Sequence, residues 1–347
     1  MNRVASIALL PFSTLYGATM KIRLALYKAG LSGAQQLEAP VISVGNITAG
    51  GTGKTPLVEW IAREIADAGR RPCILTRGYA RADEKNRVVV TDGRTILANV
   101  DQAGDEAVLL AEQLRGRAAV IADRDRAAAA LWAIENLRTD CFVLDDGFQN
   151  LRLTRDLNIV TIDATNPWSN GYLIPAGLLR EPRSGLRRAD CIVITRSDQS
   201  PSVDALRKEI DHFSGGRPIF VSRMKGCALR SLPGSPEHGS RDEPGPVAAF
   251  CGIGNPESFF AQLRAEKYSL TYVHPFADHH KYTQNDIDTV VRAATANGAH
   301  ALLTTAKDEV KIRSLRSDLP CYVVDIQIEI DNEAGLRQLI MNAIDGD

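Results

Sequence analysis

A glycine-rich turn between an apolar run and a helix-like run constrains this sequence most. The run Val41–Val44 predicts a buried strand, Lys54 and Thr55 directly follow Gly53, and apolar residues recur at helical spacing from Leu57. Strand, glycine loop, Lys-Thr and helix form the layout of a P-loop, in which backbone N–H groups and the helix N-terminus bind phosphate. The segment therefore predicts a nucleoside triphosphate site.

The loop departs mildly from the strict pattern G-x-x-x-x-G-K-[ST], because Thr48 stands where glycine is expected. Gly50 and Gly51 supply the turn from inside the loop. We expect Lys54 to reach the β- and γ-phosphates and the Thr55 hydroxyl to bind Mg²⁺. The predicted phosphate-binding residues are Thr48, Ala49, Gly50, Gly51, Thr52, Gly53, Lys54 and Thr55. An ordinary glycine-rich turn with a chance Gly-Lys-Thr is the alternative.

Strand-like and helix-like runs alternate through most of the chain. This alternation predicts an α/β fold that is P-loop NTPase-like, a mostly parallel sheet with helices on both faces. The length suggests about two domains, and residues 222–245 are rich in Gly, Ser, Pro and mixed charge, as inter-domain regions often are. The expected segments are an N-terminal membrane-associating helix at 1–30, a P-loop nucleotide-binding domain at 31–222, and a smaller C-terminal α/β domain at 223–347 that closes the cleft.

Paired aspartates end a second informative run. The apolar residues Cys141–Leu144 lead directly into Asp145 and Asp146. A buried strand there would present both carboxylates at the carboxyl edge of the sheet, where a Walker-B-type acid meets Mg²⁺ directly or through water. A plain Asp-Asp-Gly turn is the alternative, but the position after a phosphate loop favours the metal site.

Transfer of a phosphoryl group to a hydroxyl also requires a base. Asp105 and Glu106, at a loop-to-helix junction, and 278–280 (Asp-His-His), in a loop of the second domain, are the candidates. An Asp and a His from different domains could meet across a cleft, with the His polarising the hydroxyl or relaying its proton. Taken singly, a helix-capping acid and a solvated loop histidine are the simpler interpretations.

The N-terminal segment carries no charge from Val4 to Met20, and Lys21 and Arg23 follow. The run is shorter and more polar than a transmembrane helix of about 20 apolar residues, and no A-x-A cleavage site follows it. We expect an interfacial helix that places its apolar face in a membrane. A buried first helix of the core is the alternative.

Charge and cysteine usage exclude some classes of function. The formal net charge is −1, so we expect no nucleic-acid partner. The six cysteines include no C-x-x-C pair, and several lie in strand-like runs, which predicts buried thiols in a reducing compartment and not zinc ligands or disulfides. No protein partner is implied.

The segment Thr195–Asp198 complicates the assignment, because it resembles the [NT]-K-x-D base reader of GTP-binding proteins with Arg in place of Lys. Residues Asp145–Gly147 lack the D-x-x-G spacing of a GTPase switch, and Ala49 stands where deviant Walker ATPases have lysine. A kinase therefore fits better than a switch or a motor. The competing classes are a GTP-dependent regulator and an NTP-dependent membrane scaffold without an acceptor.

Motifs spread over almost the whole chain resemble the tetraacyldisaccharide 4'-kinase family, the lipid A 4'-kinases. Only Ala306 departs, since Glu is expected there. The motifs are Val44–Pro56, Thr76–Tyr79, Gly104–Glu106, Leu144–Gln149, Pro175–Pro182, Phe276–His280 and Thr304–Asp308.

The resemblance implies a kinase on the cytoplasmic face of the bacterial inner membrane, peripheral or anchored by its N-terminal helix. It would transfer the γ-phosphate of ATP, with Mg²⁺, to the 4'-hydroxyl of a tetraacyldisaccharide 1-phosphate, forming lipid IVA in lipid A biosynthesis. By motif, Asp105 would be the catalytic base and His279 its partner, alongside Lys54, and Arg180 would bind ATP phosphates. The implied metal-site residues are Thr55, Asp145, Asp146 and Glu181.

Overall fold

A sheet of 12 strands forms the centre of the computed structural model, which describes residues 8–79, 81–236 and 245–346. The strands are β1 (Val41–Asn46), β2 (Pro72–Thr76), β3 (Val88–Thr91), β4 (Ala119–Ala122), β5 (Cys141–Asp145), β6 (Leu157–Asp163), β7 (Cys191–Thr195), β8 (Ile219–Ser231), β9 (Val247–Cys251), β10 (Leu270–Pro275), β11 (Ala301–Thr305) and β12 (Cys321–Ile330). Many of these runs are β-branched and fully buried, as expected for strands covered on both faces.

Helices connect most of the parallel strands. They are α1 (Leu10–Lys28), α2 (Lys54–Asp67), α3 (Val100–Ala103), α4 (Asp105–Gln113), α5 (Arg126–Leu137), α6 (Val203–Ser214), α7 (Pro256–Ala265), α8 (Gln284–Ala296), α9 (Ala306–Ile312) and α10 (Glu333–Asp345), with short 3₁₀ turns at Arg183–Arg188 and Ser197–Gln199. Across the described ranges, no helix is both long enough and apolar enough to span a bilayer.

The strand order is β10-β9-β11-β12-β8-β7-β6-β1-β5-β2-β4-β3. Neighbouring strands are parallel except β8 with β12 and β3 with β4. The predicted α/β fold with a mostly parallel sheet is therefore confirmed. Because β1 pairs with β5 and β6, the loop after β1 and the paired aspartates that end β5 lie at the same carboxyl edge of the sheet.

Strand β8 joins the two predicted α/β domains. Its first residues, Ile219–Val221, pair with β7, and Ser222–Ser231 pair antiparallel with β12. The predicted boundary between 222 and 223 thus lies inside a continuous strand, and residues 237–244 of the predicted inter-domain region fall outside the described ranges.

Helices on both faces bury the sheet in separate apolar clusters. Leu57 and Ile61 of α2 pack on one face together with Leu110 of α4. Leu336 and Ile340 of α10 belong to the same cluster, so the last helix returns to the nucleotide-binding part of the sheet. On the opposite face, α5 covers the strands with alanines and partly buried apolar residues. The predicted buried, unpaired thiols are found at Cys73, Cys141, Cys191, Cys251 and Cys321.

Candidate active site

The glycine loop between β1 and α2 has the backbone of a phosphate cradle. Gly50 has φ +111° and Gly53 has φ +72°, values that L-residues with a Cβ rarely adopt. The hydroxyl of Thr52 anchors the loop from below, since it accepts a hydrogen bond from Asn46 Nδ2 at 3.1 Å and lies 2.9 Å from Thr161 Oγ1. The loop is therefore held in shape by buried side chains beneath it.

The segment compared above with a guanine reader supports this loop directly. Thr195 Oγ1 donates to the Thr52 carbonyl at 2.9 Å, and Arg196 Nη1 donates to the Gly51 carbonyl at 2.8 Å. Arg196 is 9% exposed and also forms an ion pair with buried Asp163. Sequence inspection did not identify this supporting role.

Lys54, Asp146 and Arg180 form a charged group beside the loop. Lys54 Nζ lies 3.4 Å from Asp146 Oδ1, and Arg180 Nη1 donates to Asp146 Oδ2 at 2.7 Å. Burial would raise the pKa of Asp146, but the two cations outweigh it and hold that pKa well below its usual range. Asp146 is thus ionised and holds both cations at the mouth of the phosphate loop.

Asp145 occupies a different environment although it is the neighbouring residue. It is 3% exposed, and its Oδ2 accepts from Thr76 Oγ1 at 3.3 Å. Burial and the nearby Glu106 carboxylate raise the pKa of Asp145 to about 6. Burial and the neighbouring carboxylate disfavour the ionised form of Asp145. A divalent cation bound beside it would stabilise that ionised form.

A magnesium ion fits these residues only as a partner of phosphate and water. No cluster of three or more His, Cys, Asp or Glu side chains in the described ranges is arranged to hold a metal by itself. Mg²⁺ in phosphoryl-transfer sites usually binds one or two carboxylates together with phosphates and water. Asp145 and Thr55 line the same cavity as the loop, whereas buried Glu181 pairs with Arg188 and accepts from Gln149 at 3.0 Å.

Asp105 and His279 meet across the two predicted domains. Asp105 begins α4 and His279 lies in the loop after β10, and His279 Nδ1 is 3.0 Å from both carboxylate oxygens of Asp105. Burial would raise the pKa of Asp105, but His279, Lys307 and Lys311 together lower it to about 2. The hydrogen bond that His279 donates to Asp105 in turn raises the pKa of His279. The other histidine of the pair, His280, does not line the cavity and pairs instead with Asp286 at 3.2 Å.

Further contacts bring the second α/β unit onto the first. Lys307 Nζ bridges Glu106 at 2.9 Å and Asp278 at 3.2 Å. Gly254, in the loop after β9, lies so close to the phosphate loop that a Cβ there would be 2.7 Å from Gly51 N. The motif that contains Lys307 was visible in the sequence, but its partners Glu106 and Asp278 were not, and nothing in the sequence marked Gly254.

A cavity of about 1060 Å³ lies between these elements. Its lining includes the phosphate loop from Ala49 to Thr55, the acidic pair, Arg180 and His279, and also Tyr16 and Arg23 of α1. Thr48, Asp105 and Glu181 do not line it, although Asp105 contacts His279, which does. The structure therefore brings most of the predicted site residues together around one cavity. Asp105 is separated from the cavity by His279.

A family model described as Tetraacyldisaccharide-1-P 4'-kinase matches residues 5–345. The chain belongs to this family. Among its relatives, tetraacyldisaccharide 4'-kinase of Geobacter sulfurreducens is 42% identical over 326 residues, covering 91% of this chain and 87% of the relative. The same enzyme of Desulfotalea psychrophila is 39% identical over 315 residues, covering 90% of this chain and 89% of the relative.

A solved structure of the family has the same fold. The crystal structure of LpxK from Aquifex aeolicus, in complex with ATP, is 32% identical and superposes with a TM-score of 0.76, covering 98% of this chain and 99% of that one. Membership of the tetraacyldisaccharide-1-P 4'-kinase family and the P-loop fold are thereby established for this chain, as its motifs predicted.

Proposed function

We propose that this chain is an ATP-dependent kinase that phosphorylates the 4'-hydroxyl of a tetraacyldisaccharide 1-phosphate, with the Asp105–His279 pair acting as the base. The family membership supports the reaction, and the pairing of Asp105 with His279 beside a phosphate loop supports the residue roles. Phosphoryl transfer needs phosphates held in place, charge neutralised and a nucleophile oriented. Each need has a group in this cavity.

Lys54 and Arg180 are the groups that we assign to the ATP phosphates. Both contact Asp146, which holds them at the rim of the loop before nucleotide binds. Bound phosphates would compete with Asp146 for these cations, and the backbone N–H groups of the loop would add further donors. Thr55 and Asp145 would hold Mg²⁺, with Asp146 close by. When bound, the ion would neutralise charge on the β- and γ-phosphates.

The proton of the acceptor hydroxyl would leave through the His279–Asp105 pair. His279 lines the cavity and Asp105 is 4% exposed, so the imidazole is the group that meets the hydroxyl and the carboxylate stabilises the charge that it gains. The lowered pKa of Asp105 keeps the carboxylate ionised at neutral pH, and an ionised carboxylate favours this transfer.

We also propose that α1 docks on the membrane that holds the lipid. Its exposed apolar residues Phe12, Leu15, Ile22 and Leu26 recur at helical spacing on one face. The opposite face packs on the protein through Ser13, whose hydroxyl donates to the Leu173 carbonyl at 2.9 Å. An apolar face that points away from its own protein suits burial in the acyl region of a bilayer. The cytoplasmic face of the inner membrane is the location where ATP and such a lipid coexist.

Tyr16 and Arg23 connect this helix to the cavity. Both lie between the docked face and the apolar face of α1, and both line the cavity. A lipid whose acyl chains stay in the bilayer would then meet Arg23 on its way to His279. The position of α1 therefore supports a substrate that is presented from a membrane.

Transfer of label from γ-labelled ATP to disaccharide 1-phosphate lipid in detergent micelles with Mg²⁺ tests the kinase proposal. GTP is run in parallel. We expect label on the lipid from ATP. Label released only as free phosphate, or transfer supported by GTP alone, would contradict the proposal and favour a scaffold or a regulator.

Co-sedimentation with vesicles of phosphatidylethanolamine and phosphatidylglycerol tests the membrane proposal. The double variant Phe12→Asp/Leu15→Asp should lose most of its vesicle-bound fraction, because two charges would enter the apolar layer. Leu97→Asp/Leu131→Asp is the matched control, since these residues are also exposed and lie outside α1. Equal loss in both variants, or none in the first, would refute docking through α1.

A further inference from the structure

The buried ammonium group of Lys311 lies beside the carboxylate of Asp105. The Lys311 side chain is 6% exposed, and its Nζ is 3.6 Å from Asp105 Oδ2 and 2.9 Å from Asp308 Oδ1. Lys311 does not line the cavity, so it contacts neither nucleotide nor acceptor directly.

Two carboxylates and an aromatic ring surround the Lys311 ammonium group. Its Nζ forms ion pairs with the carboxylates of Asp308 and Asp105. The ring of Tyr282 lies 5.2 Å away and adds a cation–π contact. A buried cation is costly unless carboxylates compensate it, so Lys311 depends on both Asp105 and Asp308.

Asp308 is the fixed end of this arrangement. It is fully buried, and it accepts hydrogen bonds from Tyr282 Oη at 2.9 Å, Thr305 Oγ1 at 2.7 Å and Gly252 N at 3.1 Å. Its carboxylate therefore has little freedom to move. Lys311 projects from this anchored carboxylate toward Asp105, which belongs to the other α/β unit.

The two carboxylates come from different helices. Asp105 begins α4 in the nucleotide-binding part, whereas Asp308 and Lys311 lie in α9 of the second unit. Of the other charged groups around Asp105, His279 and Lys307 also come from the second unit, and Glu106 is its chain neighbour. Lys307 and Lys311, the two cations that stabilise the ionised Asp105 carboxylate, are therefore close to it because α9 packs on α4.

We propose that Lys311 is a positioning residue, which fixes the Asp105 carboxylate against His279 and does so only while α9 is packed on α4. Lys311 acts through Asp105 and takes no proton itself. This inference rests on the proposed function, because it assigns Lys311 to the transfer step. Because Lys311 belongs to the second unit, Asp105 would be positioned only when the two units are packed together. This arrangement would limit hydrolysis of ATP by water in an open cleft.

A plain structural role for Lys311 would give a different result. Arg313 supplies the comparison, since it forms an ion pair from the same end of the second unit to Glu112 of α4 without contacting Asp105. If docking of α9 on α4 were all that mattered, loss of either cation would impair transfer in the same way. If Lys311 acts through Asp105, replacing Lys311 should no longer lower kcat once Asp105 has been replaced. Replacing Arg313 should have the same effect on kcat whether or not Asp105 is present.

The experiment is a double-mutant cycle on label transfer from γ-labelled ATP to the disaccharide lipid. Lys311→Met is measured in the wild-type and Asp105→Asn backgrounds, and Arg313→Gln is the control in both. We expect Lys311→Met to lower kcat by about 10–100-fold in the wild type, within the range of general-base effects. The KM for ATP should stay close to wild type. In the Asp105→Asn background the same substitution should have almost no effect.

The cycle separates the possible failures. No label transfer by the wild-type protein would refute the kinase proposal itself, before any variant is compared. An equal loss from Lys311→Met in both backgrounds, a rise in KM with unchanged kcat, or the same pattern from Arg313→Gln would overturn the inference. If Lys311→Met does not fold, Lys311→Gln takes its place in the cycle, because it keeps a polar end at the buried position. Lys311→Arg, which retains the charge, should recover part of the lost kcat.

Discussion

Replacing Asp105 by Asn tests the central residue of the proposed mechanism. The substitution removes the charge and keeps the size of the side chain. Both carboxylate oxygens lie 3.0 Å from His279 Nδ1, and the residue is 4% exposed, so bulk water has little access to replace the missing charge. A positioned base contributes about 10²–10⁴-fold to the rate, which corresponds to about 3–5 kcal/mol at about 1.36 kcal/mol per tenfold change.

We expect kcat for lipid phosphorylation to fall by that factor while ATP affinity stays close to wild type. Affinity should survive because the cations assigned to the phosphates, Lys54 and Arg180, contact Asp146 and not Asp105. Transfer of label to lipid in micelles measures kcat, and the fluorescence of a labelled ATP analogue measures affinity. The two readouts separate a chemical role from a binding role.

Asp286→Asn is the matched control for this substitution. Asp286, in the first turn of α8, also pairs with a histidine, His280, at 3.2 Å, but neither residue lines the cavity. It should leave kcat near the wild-type value. A normal kcat in Asp105→Asn, or an equal loss in the control, would refute the reasoning, and loss of ATP binding in Asp105→Asn would make Asp105 structural.

Further variants extend the test to the rest of the cleft. His279→Gln should lower kcat by about 10-fold or more, as expected for loss of a hydrogen bond to a charged group. An unchanged kcat would contradict the proposal that the hydroxyl proton leaves through His279. Lys54→Ala should weaken ATP binding and turnover together, and unchanged turnover in the transfer assay would contradict the phosphate-loop assignment. Gly254→Ala should lower turnover, because its Cβ would lie 2.7 Å from Gly51 N; Gly33→Ala, where a Cβ meets nothing within 4 Å, should not, and equal rates would show that the close approach is unimportant.

The local patterns of the sequence were sufficient for the elements and for most of the cavity wall. The run ending at Asp145 predicted a buried strand with its acids at the sheet edge, and the apolar spacing from Leu57 predicted the helix that is α2. These inferences succeed because strand ends and helix starts depend on neighbours in the chain. The pairing of Asp105 with His279 also followed from the resemblance, and the structure brings the two together.

Contacts between distant segments were beyond such patterns. Nothing local marks Lys311 as the neighbour of Asp105, or Arg196 as the support of the phosphate loop, because both contacts depend on how the sheet and helices pack. The backbone conformation of two site residues was also not predicted. Asp146 and His279 adopt positive φ values of 52° and 57°, which are uncommon for residues with a Cβ and which no sequence pattern at these positions indicated.

The continuous strand β8 has a consequence for how this enzyme can vary. Most two-part enzymes join their halves by loops, whose length can drift between species or be altered by an engineer with little cost. Here the covalent path from the half that carries Asp105 to the half that carries His279 runs through β8, which is hydrogen-bonded first to β7 and then to β12. Unless it formed a bulge, like the irregularity already present opposite Asp325 and Ile326, a single inserted residue would turn the following side chains of β8 to the opposite face of the sheet. The way the half that carries Asp105 meets the half that carries His279 therefore depends on the register of β8, and a frame-preserving insertion in its regularly paired part should be as damaging as a substitution in the cleft.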